Sequence, residues 1–89
     1  MNAEQKVMLR ENLLRQLASS RPLGLLVSRL AQGARMEGFY LGESELEAEL
    51  TVLLKKGLVE THADSISIAQ TPHWRITSAG LGELDARGY

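Results

Sequence analysis

Cysteine is absent from the 89 residues, which excludes disulfides and thiolate metal centres and makes a reduced cytoplasm the expected compartment. Long apolar runs are missing too. The longest is about five residues, far short of the roughly 20 that cross a bilayer, so no membrane partner is expected. Met1 to Arg10 carries Glu4 and Lys6 and has no apolar centre, so it is not expected to act as a signal peptide. Neither sign of charge dominates: the net charge is −1 and the sequence pI is near 6.1. That argues against strong sequence-independent nucleic-acid binding but leaves room for a small basic patch. Catalytic signatures are lacking as well. Gly80-Leu81-Gly82 has neither the lysine nor the strand–loop spacing of a phosphate loop, and there is no Gly-x-Ser-x-Gly elbow. Neither of the two histidines has a marked serine or threonine partner. So short a chain leaves little room for a deep pocket beside a core. No enzyme activity, cofactor or small-molecule substrate is expected.

What is present is ordinary globular material. Apolar residues make up 44% of the chain, too many for a disordered segment. The length suits one domain over residues 1–89. Asn2-x-x-Gln5 has the spacing of a capping box, and Leu9, Leu13, Leu14 and Leu17 follow it at helical period. A first helix is therefore expected to about Ala18. A second is expected from about Leu23 to Glu37, on the spacing of Leu23, Leu26, Val27, Leu30, Ala31 and Ala34, with Gly33 as a weak point and Gly38 as the stop. Phe39 and Tyr40 are expected to pack under the first helix. Ser44-x-x-Glu47 reads as the capping box of a third helix, with Leu46, Leu50, Leu53 and Leu54 as its buried stripe and Gly57 as its stop.

The period changes at Gly57. Leu58–Thr61 and His73–Ile76 read as strands, and Ile66 and Ile68 alternate with Ser65, Ser67 and Ala69 between them. Thr77 or Ser78 is expected to cap a short last helix containing Leu81 and Leu84, weakened by Gly80 and Gly82. Tyr89 is expected to fray. Leu26, Leu30, Leu46, Leu50, Leu53, Leu58 and Ile76 are the expected core, with Trp74 packed against it. His62 and His73, with Asp64 near, could face one another across the hairpin. Hairpin surface is the simpler reading, so no metal site is expected.

Two segments carry a resemblance. The third helix ends in Leu53-Leu54-Lys55-Lys56-Gly57-Leu58-Val59-Glu60, and the late strand runs into Arg75-Ile76-Thr77-Ser78-Ala79-Gly80, with Leu84 following. Together they resemble the winged helix-turn-helix families of bacteria and their phages, in which a leucine-rich recognition helix ends in "Lys-Lys-Gly-Leu-Val" and a wing hairpin closes on "Leu/Ile-Thr-x-x-Gly". The resemblance covers roughly Leu23 to Leu84, and the chain is also similar to short prophage-encoded proteins of this type. It implies an α+β, mainly α fold: a three-helix core, a β-hairpin wing and a short C-terminal helix. It further implies a small DNA-binding transcriptional regulator.

In such a family the outward face of the third helix enters the major groove. With Leu46, Leu50 and Leu53 inward at ~100° per residue, the outward residues are Ser44, Ala48, Thr51, Val52 and Lys55. Lys56 and Arg75 would join them, and Arg29 and Arg35 on the second helix are further candidate cations. Ala48, Thr51 and Val52 suit thymine methyls, and Lys55 suits a phosphate. Against this, the face has no Arg, Asn or Gln, Glu47 and Glu49 flank it, and the wing from Thr61 to Thr71 has no Lys or Arg. Acidic residues near a helix start, here Glu43, Glu45 and Glu47, also have a purely structural use. Two readings stay open. The architecture favours a DNA-binding regulator; the charge pattern favours a winged-helix protein–protein interaction module without DNA binding. Val7, Leu14 and Ala18 beside the first helix's leucine stripe suggest a homodimer built on that helix.

Overall fold

The computed structural model describes residues 1–63 and 72–88. Its elements are α1 (Ala3–Ser19), α2 (Val27–Met36), α3 (Glu43–Lys55), β1 (Val59–Ala63), β2 (Pro72–Ile76) and α4 (Ser78–Ala86). The expected alternation through Ile66 and Ile68, the residue Asp64 and the frayed end at Tyr89 lie outside the described residues.

α1 starts where its capping box places it. The Asn2 side chain accepts from the Gln5 N–H at 2.8 Å, and the Gln5 side chain accepts from the Asn2 N–H at 3.1 Å. Its leucine stripe, Leu9, Leu13, Leu14 and Leu17, is fully buried. These leucines face Leu30 and Ala34 of α2, Leu46, Leu50 and Leu53 of α3, Trp74 and Ile76 of β2, and Leu84 of α4 in one cluster.

α2 is shorter than its leucine spacing suggests. The stretch Leu23–Leu26 is not helical. The Leu23 and Gly24 N–H groups both donate to the Ser20 carbonyl. Gly24 sits at φ +79°, and an added Cβ there would lie 2.3 Å from the Trp74 carbonyl oxygen. Leu25 then pairs with Trp74 in both directions, at 2.9 and 2.8 Å. Backbone partners offered by β2 thus override the helical period, and Leu23 is left 77% exposed. Leu26 is only half-buried, as the N-cap of α2.

Both inner helices stop by the same device. At the end of α2 the Gly38 N–H donates to Arg35 and the Phe39 N–H to Ala34; at the end of α3 the Gly57 N–H donates to Leu54 and the Leu58 N–H to Leu53. Each glycine has positive φ, 92° and 76°, as the Schellman turn requires. α3 itself begins two residues earlier than expected. Gly42 is the N-cap, and the Glu45 carboxylate accepts from its N–H at 3.4 Å. Ser44 is therefore an exposed first-turn residue, not a cap. Leu54, expected in the stripe, is 38% exposed, and Val59 is the residue that joins the core just after the turn.

β1 and β2 pair antiparallel, from Val59 opposite Ile76 to Ala63 opposite Pro72. Val59, Trp74 and Ile76 point into the core, as expected for Trp74 and Ile76; Leu58 is only half-buried. Thr77 closes the unit. Its hydroxyl accepts from the Gly80 N–H at 3.1 Å, capping α4, and donates to the Gly57 carbonyl at 2.6 Å. The two segments that carry the family resemblance thus meet at one hydroxyl.

Candidate nucleic-acid interface

α3 is packed on one face only. Leu46, Leu50 and Leu53 are at most 2% exposed; of the residues between them Glu49 and Val52 are half-buried, and Glu47, Ala48 and Thr51 are exposed. Ser44, Ala48, Thr51, Lys55 and Lys56 are exposed, and Val52 is half-buried. Six of the seven expected contact residues thus share the outer side and end of this helix. The Thr51 hydroxyl donates to the Glu47 carbonyl at 2.8 Å. Its hydrogen is spent on the helix, so an outside group would meet its methyl and its oxygen lone pairs.

Arg75 is different. It is half-buried in β2 and paired with Glu60 across the hairpin at 3.0 Å. Its charge is already partnered, and Gly24 is crowded against its side chain. It is the expected contact residue that lies outside α3 and is already held by an acidic partner.

The acidic flanks also separate. Glu49 turns inward and pairs with Arg10 of α1 at 3.0 Å, with side chains only 16% and 25% exposed. Glu45 is engaged at the N-cap. Glu43 and Glu47 remain on the exposed side and form no ion pair with a described residue. On the cationic side, Arg29, Arg35, Lys55 and Lys56 are exposed and likewise form no ion pair with a described residue. Most other arginines are structural: Arg15 binds Glu37, and Arg87 binds both Glu11 and Glu83.

Tyr40 corrects an expectation. Phe39 packs against the core near Met8, Glu11 and Arg15 of α1, but Tyr40 is 75% exposed. The Schellman turn at Gly38 directs Phe39 inward and leaves its neighbour outside. Tyr40 therefore stands in the turn just before α3, where an aromatic hydroxyl can meet a partner. Its place two residues before the N-cap was the available signal, and the preference of aromatics for cores obscured it.

A polar cluster fixes that turn from behind. Asn12, only 4% exposed in α1, donates to the Glu37 carboxylate at the end of α2. The Gln16 amide donates to Asn12 at 2.8 Å and to the Leu30 carbonyl at 3.1 Å. The Asn12 hydrogen bond, helped by Arg15, holds the Glu37 carboxyl below its ordinary value. Gly33 leaves the space this amide fills, since a Cβ there would overlap it. Among the described residues, no three His, Cys, Asp or Glu side chains gather as a metal site, and no helix is long and apolar enough to cross a membrane.

The sequence matches no family model and no curated protein. The fold, by contrast, is widely shared. A protein from Thermoplasma acidophilum assigned as a transcriptional regulator superposes with TM-score 0.81 at 16% identity, over 98% of this chain and 82% of that one. A PadR-like transcriptional regulator from Bacillus cereus gives 0.77 at 19% identity, over 96% and 82%. The S. aureus MepR protein, solved in complex with DNA, gives 0.77 at 18%, over 96% and 68%. These neighbours are winged helix-turn-helix regulators. At such identities the likeness establishes the fold: mainly helical, with a two-stranded wing, as the sequence implied.

Proposed function

We propose that this chain is a small DNA-binding transcriptional regulator that inserts the outer face of α3 into the major groove. One observation carries the reading. The helix that serves as the recognition helix in this fold presents Ser44, Ala48, Thr51 and Val52 away from the core, with Lys55 and Lys56 at its end. Similarity to regulators, one of them solved on DNA, supports it. Ala48, Thr51 and Val52 read thymine methyls by apolar contact, and Lys55, Lys56, Arg29 and Arg35 meet phosphates. Arg75 contributes only after leaving Glu60. A homodimer built on α1, working in the cytoplasm, completes the proposal.

Fluorescence anisotropy with mixed-sequence duplex DNA at low salt is the test. Non-specific binders usually reach roughly 10⁻⁴ to 10⁻⁶ M at physiological salt, so no binding by folded protein at ~100 μM would rule the reading out. Lys55→Ala should weaken binding about equally for all sequences, whereas Thr51→Ala should alter preference among them.

The exposed Glu43 and Glu47 support a second reading, a protein-docking module in which α3 lies in a partner's groove with basic residues opposite the glutamates. Val52→Glu would then abolish partner binding, and DNA would not bind at any salt concentration.

A further inference from the structure

The chain has two histidines, His62 in β1 and His73 in β2, and the fold sets them directly opposite one another. The hydrogen-bond pattern fixes what kind of pair they make. Trp74 spends both its N–H and its carbonyl on Leu25, so the backbone groups of its neighbours His73 and Arg75 point toward β1. His62 and His73 are therefore a hydrogen-bonded antiparallel pair, with Cα atoms about 5.5 Å apart and side chains on the same face.

That face is the outer one. Side chains alternate along a strand, and Trp74 and Ile76 take the inner face in the core. Glu60 and Arg75, two residues further along the same outer face, close a cross-strand ion pair at 3.0 Å. This pair shows that side chains on this face reach one another across the ribbon. It also occupies the Glu60 carboxylate with an arginine.

We propose that His62 and His73 form a cross-strand bis-imidazole site for a borderline divalent transition-metal ion such as Zn²⁺, Ni²⁺ or Cu²⁺. Imidazole nitrogen suits these ions. Zinc–nitrogen bonds of about 2.0–2.1 Å at a tetrahedral angle need two nitrogens roughly 3.3 Å apart, which rotation of two facing imidazoles can supply. Hard ions such as Mg²⁺ and Ca²⁺ prefer oxygen ligands and are not expected there. The described residues contribute two ligands and no third, so water fills the other positions and the site is a weak, exchangeable one. Bound metal would clamp the two strands of the wing together and add positive charge to its outer face.

The test does not involve DNA, so it stands or falls apart from the proposed function. With two histidines in the chain, their imidazole carbon-bound protons give two sets of NMR signals. Titration with ZnCl₂ to about 1 mM, a generous ceiling for a weak specific site, should move both sets along one saturable curve at one ion per chain. In His62→Asn the His73 signals should no longer respond, and in His73→Asn the His62 signals should no longer respond; MgCl₂ should move neither. Immobile signals in the parent protein would overturn the site. So would two independent curves, or an undiminished response of either histidine once the other is replaced.

Discussion

Gly80 and Gly82 both weaken α4 when read as letters, yet their surroundings give them opposite roles. A Cβ on Gly80 would lie 2.2 Å from the Leu58 carbonyl oxygen and 2.6 Å from Ile76, whereas one on Gly82 would meet nothing. Gly80 is needed so that α4 can seat against the start of the hairpin, with Thr77 bridging Gly57 and the helix cap. Gly80→Ala should cost about 1–3 kcal/mol as overpacking, while Gly82→Ala should stabilise by roughly 0.5–1 kcal/mol through helix propensity. Urea denaturation of the two variants should show midpoints on opposite sides of the parent. A second residue-scale effect lies at Glu37, whose carboxyl the Asn12 amide and Arg15 hold below its usual value of 4.5. A carboxyl depressed in the fold stabilises above its unfolded value, and that contribution is lost as pH falls through the folded one. Stability should therefore drop below about pH 4.5 less steeply in Glu37→Gln than in the parent. Urea midpoints measured against pH would check this, and parallel acid limbs would show that the pair does not matter.

At the scale of elements, much was legible because local signals and packing agree. The α1 capping box, the places of Leu46, Leu50 and Leu53 in the stripe of α3, the stops at Gly38 and Gly57, and the Thr77 cap each rest on chemistry contained within a few residues. Leu23 and Tyr40 were not legible for the opposite reason. The fate of Leu23 is set by a β2 backbone about 50 positions away that claims Leu25, and that of Tyr40 by which side of a glycine turn faces the core. The placement of the candidate residues was readable to the same degree: the outer face of α3 follows from helical period, while the Glu49–Arg10 and Arg75–Glu60 pairs depend on tertiary neighbours. Burial ranks the leucines of α3. Leu50, fully enclosed, should cost roughly 2–5 kcal/mol on replacement by alanine. Leu54→Ala, at a position 38% exposed, should cost well under half as much. Equal losses in thermal or urea unfolding would mean that Leu54 has an apolar neighbour the monomer lacks.

For the whole molecule, the net charge of −1 limits how the proposed function could hold DNA. Arg29, Arg35, Lys55 and Lys56 are the exposed cations on α2 and α3 without a described acidic partner. If all four meet phosphates, log affinity should fall with log salt at a slope of about −3.6, taking −0.9 per contact. A symmetric dimer on two half-sites would double that to about −7. The first helix is where such a dimer is proposed to form, although the fold narrows the surface available. Leu14, at first assigned to it, is spent in the core, and Ala18 is partly covered. Val7 and Met8 stay 42% and 53% exposed near the start of α1, and towards its other end an open groove between α1 and α4 is lined by Ala18, Leu81 and Leu84. Sedimentation equilibrium at high micromolar concentration should give twice the 9.8 kDa chain mass, and Val7→Asp with Met8→Asp should return it to the monomer. The same double variant should halve the salt slope while leaving α3 intact. A parent protein that sediments as a monomer, yet binds DNA with a slope near −3.6, would place one copy on each site and remove the dimer from the account.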